Sequence, residues 1–575
     1  MKDTPFTEAR LLSLYDRVAE AEDAIPRLRR FVLDLAVRGK LVRQDAGDEP
    51  ASVLLERIET EKALLVKARA IKKTELPDIT KGDEPYKIPR NWSWTRLGTI
   101  GDWGAGSTPP RGNPDLFGGG ITWLKSGELN DNTELVGSEE TVSEYAVTTG
   151  SFRLNKPGDV LIAMYGATIG KLAILAENAV TNQAVCGCTP FKGVHNRFLY
   201  LFLLSYRANF HAASEGGAQP NISKVKIVNT PLPLPPLAEQ HRIVAKVEEL
   251  MALLDRLEAA RAAREEARTR LTAATLSRLT EADSDTPTAA RFALQTLPAL
   301  TTRPDQIKTL RQTILNLAVR GKLVVQDAGD EPASVLVERI GDIRKGRVAA
   351  GELKKPKETS PIAPTDCLFS IPTPWAWAMA DTLWDFENGD RSANYPSRDQ
   401  LVETGIPFIN AGHLDGGRVS LVGMNFITVE KFKSLAGGKL RQGDQLYCLR
   451  GSLGKHAVFD YQTDAAIASS LVILRPVLRA CVPYLACFLD SDAAQVQLRR
   501  FDNGSAQPNL SSANLRRFIV PLPPLAEQQR IVAKVDELMS LCDRLERALQ
   551  DATTTRARLL DATLREALAG AQEAA

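Results

Sequence analysis

The chain has 575 residues, 44% hydrophobic and 25% charged, enough for several separate cores. Its 72 basic and 70 acidic residues leave a net charge of +2, far from the clear basic excess of a stand-alone DNA binder. Seven cysteines without paired spacing, a start (Met1-Lys2-Asp3-Thr4) lacking the regions of an export signal, and no apolar run near the ~18–20 residues of a membrane span, the longest being Phe198 to Leu204, predict a soluble cytoplasmic protein.

In chain order, residues 1–89 read as a helical segment containing the block LAVRGKLVRQDAGDEPASVLLERI from Leu35 to Ile58. The block returns from Leu317 to Ile340 with two of 24 positions changed, at an offset of 282. Residues 90–236 carry glycine-rich turns and short alternating runs such as Asp159 to Ala163, the pattern of a mixed α/β domain. A Pro-rich turn follows, and PLPPLAEQHRIVAKVEELMALLDRLE from Pro233 opens a long helix over 237–279. This second block recurs from Pro521 at an offset of 288, so the whole half-chain is duplicated. Residues 237–371 then form a central region, with a joint at Thr280 to Thr302, and 372–524 and 525–575 repeat the domain and the helix.

Looser matches keep the same order: Asn91 to Trp94 answers Pro374 to Trp377, ITWLKSGEL from Ile121 answers IPFINAGHL from Ile406, GDVLIAMYGATIGKLAI from Gly158 answers GDQLYCLRGSLGKHAVF from Gly443, and GGAQPNIS from Gly216 answers NGSAQPNLS from Asn503. In the long helices, Ile243, Val247, Leu250, Leu254 and Leu257 keep coiled-coil spacing, as do Ile531, Val535, Leu538, Cys542, Leu545 and Leu549. Matched seams predict that the two helices pack on each other; the alternative is that each is buried on its own domain.

Catalytic patterns do not emerge. No Asp/Asn-Pro-Pro-aromatic turn suits a base-amino methyltransferase, and Gly166 to Leu172 is one residue short of a phosphate loop and lacks its Ser/Thr. Pro114-Asp115 with Glu128-Leu129-Asn130 resembles a nuclease pair without the lysine, and reads better as a surface loop. His195, His211, His241, His413 and His456 have no ligand spacing, and Cys186-x-Cys188 lies in an apolar, strand-like run. No metal or cofactor is expected.

LAVRGKLV with its Asp/Glu-Pro-Ala-Ser continuation, PLPPLAEQxRIVxKV before a coiled coil, and the GxTP and QPNxS signatures resemble the specificity subunit of type I restriction-modification systems over almost the whole chain. The resemblance implies a mixed α/β fold with two similar target-recognition domains, each reading half of a split site on double-stranded DNA. These are held apart by long conserved helices in an antiparallel coiled coil with an internal pseudo-two-fold repeat. It further implies two docked methyltransferase subunits, which bind the methyl donor S-adenosylmethionine, and restriction/translocase subunits that join when both marks are absent. The chain itself would be non-catalytic. Ser107-Thr108-Pro109 has no GxTP counterpart in the second copy, which reads Gly389-Asp390-Arg391-Ser392-Ala393-Asn394-Tyr395-Pro396.

Base reading needs side chains that pair with base edges: Arg or Lys with guanine, Asn or Gln with adenine. Turn residues of this kind are Ser107, Thr108, Arg111, Lys125, Tyr165, Lys171, Gln219 and Asn221 in the first copy. In the second they are Arg391, Asn394, Tyr395, Asn410, Arg450, Lys455, Gln507 and Asn509. Each is equally readable as a turn-stabilising or solvated polar residue, and the identical Gln-Pro-Asn in both copies favours a structural or phosphate role. With 12 basic and 11 acidic residues over 90–235, and 15 and 14 over 372–524, each domain is nearly neutral, which suits a dependent subunit better than a free regulator. A one-chain enzyme would need the missing catalytic motifs, and a dimeric repressor a helix-turn-helix that is not found.

Overall fold

The computed structural model describes residues 6–19, 21–150, 152–214, 221–280, 301, 303–353, 361–502 and 509–573. Gln219, Gln507 and nearly all of the expected joint Thr280 to Thr302 lie outside them. Contacts divide the chain into two compact units: residues 1–264 with 553–575, and residues 265–552. Both long helices, Leu237–Thr280 and Leu525–Glu573, are therefore divided between the units. Each begins directly after Pro236 or Pro524, since proline has no amide for a preceding helical turn.

In the first unit a five-stranded sheet runs in spatial order 101–105, 185–190, 160–163, 172–175 and 132–135. Its neighbours are antiparallel except for the last pair. A three-stranded sheet sets Phe117–Leu124 between Thr141–Val142 and Ala179–Thr181, and a two-stranded one pairs Ser93–Arg96 with Pro231–Leu234. The second unit repeats this plan. Its larger sheet runs 384–388, 471–476, 444–448, 456–459, 417–419 and 414–415; its small sheet sets Ile406–Ile409 between Asn425–Ile427 and Ala466–Ile467; Ala376–Met379 pairs with Ile519–Leu522. The run at Asp159 to Ala163 is a strand over Val160–Ala163, followed by the expected turn at Gly166–Thr168 and a strand over Leu172–Leu175.

The near-identical blocks are two sides of one junction, built once per unit. Helix Ala24–Val37 ends in a Schellman turn: Lys40 N–H donates to Leu35 O (2.9 Å) and Gly39 N–H to Ala36 O (3.3 Å), with Gly39 at φ +67°. Lys322, Leu317, Gly321 (φ +70°) and Ala318 repeat it. A β-carbon on either glycine would lie 2.4 Å from Cγ of Pro89 or Pro372, so only glycine fits. Beside the turn, Glu239 of the long helix is fully buried and accepts from Trp92 Nε1 (2.9 Å) and Gln44 Nε2 (2.6 Å). Arg242 grips Asp48 with two nitrogens (2.5 and 3.2 Å). In the second unit Glu527 accepts from Trp375 (3.0 Å) and Gln326 (2.8 Å), and Arg530 grips Asp330 at the same two distances.

These junctions decide where the helix stripes go. Ile243, Val247, Leu250 and Leu254 are buried in the first unit's own core with Leu28, Phe31, Val32 and Leu35, with Leu257 packed alongside, and Leu560 from the last helix joins them. Ile531, Val535 and Cys542 enter the second unit's core with Ile307, Ile314 and Ala318, with Leu538, Leu545 and Leu549 against it. These stripes thus face the short helix of their own repeat, and Leu560 of the last long helix packs in the same cluster as Ile243 to Leu254. Matched ion pairs fix that packing, Arg29 with Asp255 (2.6 Å) and Glu258 (2.8 Å), and Arg311 with Asp543 (2.7 Å) and Glu546 (2.8 Å). Among the described residues no helix is long and apolar enough to cross a membrane.

Candidate nucleic-acid interface

In the small sheet of the first unit, Lys125 directly follows the central strand Phe117–Leu124. Beneath it Trp123 is almost wholly buried and donates from Nε1 to Ser107 O (3.1 Å). Ser107 N–H in turn donates to Thr181 O (2.8 Å), and Thr108 Oγ1 donates to the Gln183 side chain. The Arg111 guanidinium lies 5.2 Å from the Phe117 ring centre and 5.4 Å from that of Trp123, with the Lys125 ammonium 5.8 Å from the latter, within reach of cation–π attraction. Glu140 accepts from both Arg111 (2.7 Å) and Lys125. Those hydrogen bonds, Arg111 first, hold the Glu140 carboxyl below its ordinary range, and the bond to Glu140 raises the Lys125 ammonium. Ser107, Thr108, Arg111 and Lys125 thus form one cluster around an aromatic floor.

The loop after Lys125 leads to a second group. Asn130 accepts from Lys171 Nζ (3.0 Å), at the far end of the turn that begins at Tyr165. Tyr165, 42% exposed, forms an isolated backbone bridge with Asn221. Arg450 and Asn509 form the same bridge in the second unit, where Asn509 N–H also donates to Asp502 (2.9 Å) and exposed Arg450 and Lys455 flank the turn. The asparagine of each Gln-Pro-Asn is thus paired with the turn through its backbone.

At the place of Lys125 the second unit has Asn410, delivered by strand Ile406–Ile409. Its Oδ1 accepts from Gly412 N–H (2.8 Å). Asn394 Nδ2 donates to Ser434 O (3.0 Å), and the Tyr395 ring packs edge-on against Phe408, 5.8 Å between centres. Buried Asp390 ties down the loop that exposes Arg391, accepting from Ser392 and Ala436 amides (both 2.7 Å), and the Ser392 hydrogen bond leads in lowering its carboxyl.

Sequence reasoning missed the residues that hold these positions. Glu128 Oε2 accepts from Lys125 N–H (2.7 Å) and its Oε1 from Glu139 N–H (2.9 Å), so the supposed nuclease-like acid is engaged by backbone. His413 does the same for Asn410, its Nδ1 accepting from Asn410 N–H (3.1 Å). The available signal was the three-residue spacing, Lys125 to Glu128 and Asn410 to His413, which is that of a capping side chain. Gln183 and Glu140 carry no such local signal. Among the described residues no cluster of three or more His, Cys, Asp or Glu is arranged to hold a metal ion.

Comparison with known proteins agrees with this doubled arrangement. The sequence model of the type I restriction modification DNA specificity domain matches residues 89–264 and again 386–554, more than half of the chain. The chain is 29% identical over 566 residues to the type I restriction enzyme EcoAI specificity subunit of Escherichia coli, covering 94% of this chain and 93% of that protein. It is 27% identical over 594 residues to the EcoEI specificity subunit of the same organism, covering 95% and 94%. Among solved structures, the HsdS subunit from Thermoanaerobacter tengcongensis aligns with a TM-score of 0.43 at 20% identity, over 84% of this chain and 98% of that one. With the specificity-domain model matching once in each half of a duplicated sequence, the chain belongs to the type I restriction-modification specificity-subunit family and carries two DNA specificity domains.

Proposed function

We propose that each unit reads one half of a two-part sequence on duplex DNA, and that the chain supplies this reading to catalytic subunits while performing no chemistry itself. The observation that carries the proposal is a shared frame bearing different side chains. Equivalent strand ends present Lys125, beside Arg111, in one unit and Asn410 in the other, and equivalent bridged turns present Tyr165 and Arg450. Cations suit the acceptors of guanine and an amide suits adenine, so the two frames are equipped for different half-sites. Neither domain has the charge to neutralise many phosphates, so affinity comes from local clusters together with partner proteins.

The relatives are named type I restriction enzyme specificity subunits, which supports a part within such an enzyme; the partners proposed for this chain are two methyltransferase subunits, with S-adenosylmethionine bound there and not on this chain, and restriction/translocase subunits, all in the cytoplasm. The long helices, 44 and 49 residues, would each extend on the order of 65–75 Å and serve as spacer and docking scaffold. The purified chain with a methyl donor is expected to leave DNA unmethylated, and to direct methylation once a methyltransferase subunit is added. Exchange of residues 90–235 for the matching domain of a relative should alter one half of the methylated motif. Methylation by the chain alone, or a change in both halves, would refute the proposal.

A further inference from the structure

We infer that Glu128 and His413 are the positioning residues of the two reading turns, and that their different chemistry makes the same substitution, to glutamine, damaging in one unit and tolerated in the other. The inference rests on the half-site reading proposed above and names the side chains that set its geometry.

Each small-sheet central strand is followed directly by a candidate reading residue whose own amide is bonded by the side chain three positions on. The bond from Lys125 N–H to Glu128 is 2.7 Å, and that from Asn410 N–H to His413 Nδ1 is 3.1 Å. Each holding side chain has a second backbone partner, on the segment leading to the sheet's next strand. Glu128 accepts there from Glu139 N–H (2.9 Å), whereas His413 Nε2 lies 3.2 Å from Gly423 O. A carbonyl only accepts, so Nε2 carries the hydrogen and Nδ1 is the acceptor. The two units thus solve one problem with unlike groups: Glu128 makes two acceptor bonds, and His413, only 6% exposed, makes one acceptor and one donor bond.

The carbonyl of each reading residue is held by the same partner, Glu128 N–H donating to Lys125 O (3.0 Å) and His413 N–H to Asn410 O (3.1 Å), so the residue three positions on fixes both sides of the turn. The Lys125 side chain is shared with Glu140, and the Asn410 side chain already caps Gly412, so the direction each presents to a base depends on the bonded amide. A glutamine at 413 offers one oxygen and one NH2, reproducing both bonds of the imidazole. A glutamine at 128 can accept from only one of its two amides and turns an NH2 toward the other, freeing either the reading turn or the segment that braces it. Small displacements of a base-reading group are felt strongly, because one good paired contact discriminates by about ten- to a hundredfold.

The test is methylome sequencing of a host carrying the full chain with its methyltransferase subunits, comparing wild type, Glu128→Gln, His413→Gln and His413→Leu. Expected are relaxation of one or two base positions in a single half of the motif for Glu128→Gln, with roughly tenfold or greater loss of discrimination there, no change for His413→Gln, and relaxation of the other half for His413→Leu. The untouched half is the folding control within each variant, since a merely unfolded chain would lose both. An unchanged motif in Glu128→Gln, relaxation by His413→Gln as large as by His413→Leu, or simultaneous change in both halves would overturn the inference. A wild-type motif that is not divided into two halves would instead refute the half-site reading on which it rests.

Discussion

Replacing Glu239 with glutamine is expected to remove a pH-dependent loss of stability from the first unit. The carboxyl is fully buried at the start of the long helix, and that burial pushes its pKa up to about 7, against the opposing pull of the Trp92 and Gln44 hydrogen bonds and of Arg242. Because the folded value lies above the ordinary 4.5, the stabilisation is fully present below pH 4.5 and is lost as pH rises through 7. The difference corresponds to roughly 3 kcal/mol between the two limits. Glutamine cannot ionise, and Gln44 Oε1, which has no partner in the wild type, can turn to accept from the new NH2 while Trp92 Nε1 keeps its acceptor. The variant should therefore match wild type near pH 4 and exceed it by up to about 3 kcal/mol at pH 8. Urea unfolding of the full chain across this range, with hydrogen exchange of peptides from 237–264 assigning the transition, measures it. Equal pH slopes in the two proteins, or a variant weaker at pH 8, would refute the reasoning.

Three further outcomes follow from named contacts. Gly39→Ala and Gly321→Ala each force a left-handed residue and a β-carbon 2.4 Å from a proline carbon, and each should lower stability by about 1–3 kcal/mol in thermal unfolding. Arg475→Met leaves Asp444, 2% exposed, without the guanidinium that pairs with it (2.9 Å) and with Glu387 (2.8 Å), and should cost the second unit about 3–5 kcal/mol in urea unfolding. Glu140→Gln frees Arg111 and Lys125 from their shared carboxylate; it should tighten non-sequence-specific DNA binding and steepen the slope of log affinity against log salt by about 1, read by fluorescence anisotropy. An unaltered salt slope would mean that neither cation reaches a phosphate.

Much of the architecture follows from sequence alone, because duplication is a statement about order and needs no coordinates. The two blocks at 35–58 and 233–258 recur almost unchanged, and the strand at Val160–Ala163 and the helix starts after Pro236 and Pro524 are local matters of alternation and of proline's missing amide. Family resemblance likewise rests on linear motifs. What the sequence left undecided are contacts between positions far apart in the chain. Heptad spacing identified an apolar stripe at Ile243 to Leu257 and left two surfaces open for it, the other long helix or its own domain, and only the packed structure brings Leu28, Phe31 and Val32 onto it. The near-identity of LAVRGKLV and PLPPLAEQ between copies had no stated cause until Trp92, Gln44 and Glu239 met in one buried knot, where a change on either side would strand a polar group. At the candidate interface, residue type singled out Lys125 and Asn410. That they share one position, held by a carboxylate in one unit and an imidazole in the other, was decided by tertiary structure, because a hydrogen bond to a backbone amide places almost no demand on which acceptor makes it.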